Sequence, residues 1–190
     1  MMNFKKLIKE NTGFIISLVV MGFILFNPPV RAFFTRQILK TGLFSPKISD
    51  NAEELKQDLL LKDINGKLIS LKELEGKVVF INFWATWCPP CIAEMPSIQK
   101  LYDETQGLNV VFAMVDVDND PDKALKFLEK GNFTLPLYHP SSSISDQLFE
   151  GSLPTTIVLN KKGQIVLKQQ GMSDYADKKF IDKIKSLVTE

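Results

Sequence analysis

The chain is poor in the residues from which most reactive sites are built. Among 190 residues there are two cysteines, Cys88 and Cys91, and a single histidine, His139. A structural zinc site takes four ligands, usually from two cysteine or histidine pairs, and this composition cannot supply them within one chain, so no metal is expected. Net charge is also scarce. At +1, with no basic block interleaved with aromatics and no glycine-rich phosphate loop, nothing draws the chain to nucleic acid. No flavin or nicotinamide motif is present, and no internal repeat or low-complexity tract.

What is present suits a folded domain: 45% of residues are hydrophobic and 24% charged, enough to bury a sizeable core under a soluble surface. The first 30 residues stand apart. Lys5, Lys6 and Lys9 precede an uncharged run from Asn11 to Val30, which Pro28 and Pro29 interrupt. Its 20 residues are roughly what a helix needs to cross the hydrocarbon core. The run therefore predicts a retained signal anchor or a cleaved signal peptide, with Val30-Arg31-Ala32 as a weak cleavage site. Both readings place the bulk of the chain outside the cytoplasm. Arg31, Arg36, Lys40 and Lys47 follow the run, so the count of flanking cations does not favour export of the C-terminal part. The predicted organisation is an anchor or signal over 1–30, a juxtamembrane connector over 31–54 and a folded domain over 55–190.

Within that domain strand and helix signals alternate. Leu59–Leu61 and Leu68–Ser70 flank the turn pair Asn65-Gly66, and Lys77–Trp84 is a continuous apolar run of buried-strand length. A helix is predicted from Pro89 to about Glu104, a second buried strand over Asn109–Val117, and a helix opened by Asp120-Pro121 and closed by Gly131. A short strand over Leu135–Tyr138, with His139 in the loop beyond it, precedes a helical turn over Ser145–Phe149. Thr155–Leu159 and Gln164–Lys168 read as a hairpin. Phe180, Ile184, Leu187 and Val188 then mark the inner face of a last helix. The pattern predicts an α/β fold with a central mixed sheet flanked by helices.

Both cysteines fall in "FINFWATWCPPCIAEMPSI", Phe80–Ile98. A disulfide closing a two-residue loop constrains the unfolded chain very little, which argues against a purely structural staple. Cys88 follows a strand and opens a helix, where backbone N–H groups and the helix dipole favour a thiolate. Cys91, one turn on, faces inward as the resolving thiol. In that scheme Cys88 attacks a substrate disulfide and Cys91 displaces the reduced substrate. Pro89 and Pro90 suit the first helical turn but remove two N–H groups near Cys88, so its pKa is expected only moderately below the free value of about 8.5. Glu94 lies within the apolar stripe of Cys91, Met95, Ile98 and Leu101. It either reaches water at the boundary or is buried beside Cys91, where desolvation raises its pKa and fits it for proton transfer. Trp84 reads as core, and Pro96 is expected to kink the helix by removing its bond to the Ile92 carbonyl.

This stretch resembles the active-site region of thioredoxin-fold proteins, most closely the TlpA/ResA-like thiol–disulfide oxidoreductases, and the resemblance runs from about Leu59 to Val188. A second stretch, "GSLPTTIVLN" from Gly151 to Asn160, resembles the family's cis-proline loop, with Leu153, Pro154 and Thr155 facing the cysteines. The resemblance implies that Trp87 shields the pair and that Trp87, Pro89, Pro90, Leu153, Pro154 and Thr155 bind substrate. It also implies that the acid has moved: where thioredoxins carry a buried aspartate on the strand this chain has Asn82, and the family has a glutamate at the position of Glu94. Implied with it are a membrane-tethered extracytoplasmic reductase of disulfide-containing exported proteins, apocytochrome c among them, and a membrane dithiol electron donor. No cofactor is expected beyond the redox-active Cys88–Cys91 pair. Two other readings stay open: a thiol peroxidase of peroxiredoxin type, although Ala85 stands where its motif wants threonine, and copper carriage by the two thiolates with His139.

Overall fold

The structure, a computed structural model, describes residues 12–26, 45–49, 51–118 and 120–190. It divides into two units, Met1–Ile38 and Leu39–Glu190. In the first, α1 spans Thr12–Phe26, and Phe14, Leu18, Val19, Met21 and Phe23 are all more than half exposed. Fifteen helical residues cover about 22 Å, and no helix among the described residues is long and apolar enough to cross a membrane. The lysines before α1, the Val30-Arg31-Ala32 site and most of the predicted connector lie outside the described residues.

The second unit is built on a seven-stranded mixed sheet. Its strands are β1 (Leu60–Asp63), β2 (Leu68–Ser70), β3 (Val78–Trp84), β4 (Val110–Asp116), β5 (Leu137–Pro140), β6 (Thr155–Leu159) and β7 (Ile165–Gln170). They lie in the order β2-β1-β5-β4-β3-β6-β7. Strands β3, β4 and β5 run parallel, and the remaining pairs are antiparallel. The helices are α2 (Pro89–Glu104), α3 (Pro121–Lys130) and α4 (Lys178–Thr189).

All seven residues of β3 are buried, because the sheet is covered on both faces. Val78, Phe80 and Trp84 point into one core, with Met95, Ile98 and Leu101 of α2, Leu128 of α3 and Ile184 of α4. Val79, Ile81 and Phe83 point into the other, with Leu59, Leu61, Leu71 and Leu148. Asn82 shares the first face and is the polar residue in an otherwise apolar row. The Asp120 side chain caps α3 by accepting the Lys123 N–H at 3.1 Å, and Gly131 follows its last turn. Gly66 and Gly163 take φ of +84° and +73° in the two hairpin turns, a region other residues rarely enter.

Two boundaries differ from the sequence reading. Strand β5 runs through His139 to Pro140, where a loop was expected. Pairing with β1 sets Lys62 opposite His139, and the ladder continues past Pro140 with the Ser141 N–H on the Leu60 carbonyl, so the proline faces a position where β1 needs no donor. Part of the stretch predicted as connector lies along edge strand β7: Ser49 N–H bonds the Val166 carbonyl, and Glu53 and Ile165 exchange two backbone bonds. This covers an edge that would otherwise be open.

Candidate active site

Cys88 is the N-cap of α2, in extended conformation, with Pro89 and Pro90 as the first two helical residues. Those prolines leave Cys91 as the first residue of the helix with an N–H, which reaches the Cys88 sulfur at 3.3 Å. The two cysteines form a disulfide and are almost fully buried, at 3% and 1% exposure. Helix α2 continues unbroken through Pro96. Beside the pair Trp87 is 65% exposed, Pro89 exposed and Pro90 half-buried, whereas Trp84 lies wholly in the core.

The segment before Cys88 is fixed by a residue the sequence reading did not single out. Asp118 Oδ2 accepts the Thr86 N–H at 3.0 Å and the Thr86 hydroxyl at 2.8 Å, and its Oδ1 accepts the Trp87 indole N–H. Burial pushes the Asp118 carboxyl up, but the Thr86 and Trp87 donors and the Lys123 charge at 3.9 Å outweigh it and hold the pKa below its ordinary value. The one local signal was its place, just past the end of the strand that pairs with β3.

On the other side of β3, β6 runs antiparallel with Thr155 opposite Phe83, so the loop before β6 and the loop after β3 meet the same end of the sheet. In that loop the Leu153–Pro154 bond is cis. Leu153 is half-buried, and Pro154 and Thr155 are buried. The Thr155 hydroxyl donates to the Ser152 carbonyl at 2.7 Å, and Gly171 N–H bonds the Pro154 carbonyl at 2.8 Å.

Glu94, one helical turn after Cys91, is 0% exposed, so of the two environments open to it the structure has the buried one. Its Oε1 accepts from Asn82 Nδ2 at 2.8 Å and its Oε2 accepts the Ser173 N–H at 3.1 Å. Burial raises its pKa to about 8 against the lowering effect of those two donors. Asn82 Nδ2 also donates to Thr156 Oγ1 at 2.9 Å, and the Tyr175 hydroxyl donates to the same oxygen at 2.6 Å. Burial, and next the charge of Glu94, hold Tyr175 well above its ordinary pKa. A carboxyl that titrates near 8 is close in acidity to a free thiol at about 8.5, the condition under which protons pass readily between them. Thr156, Ser173 and Tyr175 were not foreseen, because only the folded chain brings them to α2.

His139 corrects the sequence reading directly. It lies in strand β5 rather than in a loop, is 8% exposed, and its Nδ1 lies 3.5 Å from Asp116 Oδ2. Among the described residues no three His, Cys, Asp or Glu side chains are grouped to hold a metal.

A family model, Redoxin, matches residues 40–183. Thiol-disulfide oxidoreductase ResA of Halalkalibacterium halodurans is 34% identical over 148 residues, 76% of this chain and 84% of that protein. Its namesake in Bacillus cereus is 32% identical over 131 residues, 68% of this chain and 76% of that protein. Among solved structures, StoA from Bacillus subtilis superposes with a TM-score of 0.53 at 27% identity, over 72% of this chain and 98% of that chain.

Proposed function

This chain belongs to the Redoxin family and, within it, to the ResA-like thiol–disulfide oxidoreductases, and from that premise we propose that it reduces disulfides in exported proteins through Cys88 and Cys91. The observation that carries the reading is Glu94: a carboxyl sealed in the core one turn from the resolving cysteine, with a pKa near that of a thiol. Such an acid is costly to bury and has no structural need to be ionisable.

In the reducing direction the Cys88 thiolate attacks one sulfur of the substrate disulfide. A Cys88–substrate bond forms, and the other substrate sulfur leaves as a thiolate that takes a proton from water. The Cys91 thiol passes its proton to ionised Glu94 and attacks the Cys88 sulfur. The mixed disulfide breaks, the second substrate thiolate leaves, and the Cys88–Cys91 disulfide closes. Two electrons have moved to the substrate. An external dithiol, a membrane carrier in this reading, returns them, and Glu94 gives its proton back to Cys91 as that sulfur is released. Trp87, Pro89, Pro90 and the Leu153–Thr155 loop form the surface an extended substrate segment meets, with the backbone beside Pro154 pairing as an added strand. Segments of the C-x-x-C-H haem-attachment type in apocytochrome c are one substrate class in this reading.

The catalytic unit acts outside the cytoplasm, tethered through the N-terminal segment that contains α1. Cell fractionation with protease protection tests this, and release of the intact chain by alkali would overturn the tether. For the chemistry, Cys91→Ser stalls the reaction at the mixed disulfide. The expected product is exported proteins attached to Cys88 and released by reductant, together with disulfide reductase activity in the wild type that Cys88→Ser lacks. Failure of the reduced wild type to reduce any protein disulfide would overturn the reading.

A further inference from the structure

Away from the cysteines and Glu94, the second unit buries another polar cluster for which the chemistry above has no use. Asp116 ends β4 and His139 lies near the end of the adjacent β5, at 0% and 8% exposure. By strand alternation Asp116 shares the face of Phe112 and Met114, and His139 that of Leu137, within the core that also holds Trp84. Trp84 is the register partner of Asp116 on β3. His139 Nδ1 is 3.5 Å from Asp116 Oδ2. Yet both imidazole nitrogens, that carboxylate oxygen and the Trp84 indole N–H find no hydrogen-bond partner among the described residues. Each such group costs on the order of 1–3 kcal/mol, so four at neighbouring positions of three adjacent strands need a reason.

The other oxygen of Asp116 leads toward the cysteines. Oδ1 accepts the Asp118 N–H at 3.3 Å, and Val117 N–H bonds the Trp84 carbonyl at 3.1 Å. Asp118 in turn holds the Thr86 N–H and hydroxyl and the Trp87 indole, immediately before Cys88. A continuous path of contacts therefore runs from His139 through Asp116 and Asp118 to the exposed indole beside the pair.

We infer that Asp116 and His139 are positioning residues: a proton shared between them sets how the Asp116–Asp118 turn presents its second carboxylate to Thr86 and Trp87, and so how the indole is seated. The inference rests on the reading of Cys88 and Cys91 as the redox pair only in what the seating is for. Without the proton, Asp116 is a buried anion facing Asp118 in the turn and Asp120 at the start of α3. Lys123 of α3 is engaged at 3.9 Å from Asp118, and Lys62 of β1 faces His139. With the proton, the couple is neutral overall and can close its 3.5 Å gap, while Asp116 becomes a weaker acceptor for the Asp118 N–H. Burial, followed by the neighbouring aspartates, raises Asp116 to about 6, and burial with the Lys62 charge lowers His139. Both shifts favour the neutral imidazole and the protonated carboxyl, so a proton on the couple is drawn toward Asp116.

The test is an NMR titration of the oxidised 190-residue chain in detergent micelles, a form in which the cysteines do not titrate. His139 is the only histidine and Trp84 and Trp87 the only tryptophans, so each probe is assignable, with Trp87→Phe identifying the indole signals. The Trp87 indole N–H is expected to shift with the same midpoint as the His139 ring. In Asp116→Asn that shift is expected to vanish, leaving only a later response to Glu94 near pH 8. A Trp87 signal that stays flat while His139 titrates, or that moves with a different midpoint, overturns the inference. So does persistence of that shift in folded Asp116→Asn. Should that variant not fold, the comparison of the two wild-type midpoints decides alone. No turnover enters the measurement, so its failure is distinct from absence of disulfide reductase activity, which would overturn only the redox reading.

Discussion

Glu94 makes the native state pay out stability as pH rises, and the size of the effect follows from its surroundings. An unfolded glutamate loses its proton near 4.5, whereas in the fold burial holds the proton until about 8, against the pull of the Ser173 and Asn82 donors. Between those limits the native state binds more protons than the unfolded one, so the free energy of unfolding falls with rising pH. The full span corresponds to about 5 kcal/mol, and the window from pH 6 to 8 to about half of it. Asp116, raised to about 6, and His139, held below its ordinary value, also titrate toward the lower edge of that window, so the wild type is read against Glu94→Gln, which keeps both. Urea unfolding of the oxidised chain at a series of pH values measures it directly, since a disulfide-bonded cysteine does not titrate. Glu94→Gln removes the Glu94 share of the slope between pH 6 and 8. It adds a pH-independent loss of about 1–3 kcal/mol, because one amide cannot accept from both Asn82 Nδ2 and the Ser173 N–H. Parallel slopes for wild type and Glu94→Gln across that window would refute the reasoning.

Three further outcomes follow from the same geometry. With Pro89 and Pro90 removing two donors from the start of α2, the Cys88 thiol of the reduced chain is expected to titrate only moderately below the free value of about 8.5, by the pH dependence of its alkylation rate. A value below about 5 would contradict that. Asp118→Asn weakens the charge-assisted bonds to Thr86 and Trp87 and should cost about 1–2 kcal/mol in urea unfolding, with a change in Trp87 emission; unaltered emission would show that the indole is held by something else. Tyr175→Phe removes only the hydroxyl bonded to Thr156 Oγ1 and keeps the ring against Phe80 and Phe180. A loss of about 1 kcal/mol is expected, and a loss beyond about 3 kcal/mol would mean that the hydroxyl does more than cap that chain of bonds.

The parts of the fold legible in the sequence are those whose cause is local. The apolar run of β3 has seven residues and no polar alternation except Asn82, so it could only be a covered central strand. The turn chemistry of Asn65-Gly66 and the capping of α3 by Asp120 fixed their elements without help from elsewhere. The candidate site was legible in its cysteines and prolines for the same reason. Its acid was only half legible: spacing put Glu94 on the inner stripe, but its burial depends on Ser173, 79 residues away, and on Asn82 of the strand beneath α2. His139 shows the opposite failure. A residue before proline favours extended backbone, and that local preference was read as loop until pairing with β1 made it strand.

The exchange between Asn82 and Glu94 can itself be tested, because the two positions cannot both be ionised acids. Asn82 Nδ2 supplies donors to Glu94 Oε1 at 2.8 Å and to Thr156 Oγ1 at 2.9 Å, and both contacts are fully buried. An aspartate at 82 has no donor when ionised and places a second carboxyl against the first. Two carboxyls at that separation share one proton, so one titrates lower and the other is driven higher still. In Asn82→Asp the shared proton substitutes for the lost amide at low pH, and the variant should be close to wild type there. Once that proton leaves, two buried anions face each other, and the loss should approach about 3–5 kcal/mol relative to wild type. Urea unfolding of both proteins at acidic pH and at a pH well above 8, where the shared proton has left, reads the difference. Equal stability of Asn82→Asp and wild type on the alkaline side would mean that Glu94 is not held where its carboxyl meets the residue at 82. The argument for a relocated acid would then lose its physical basis.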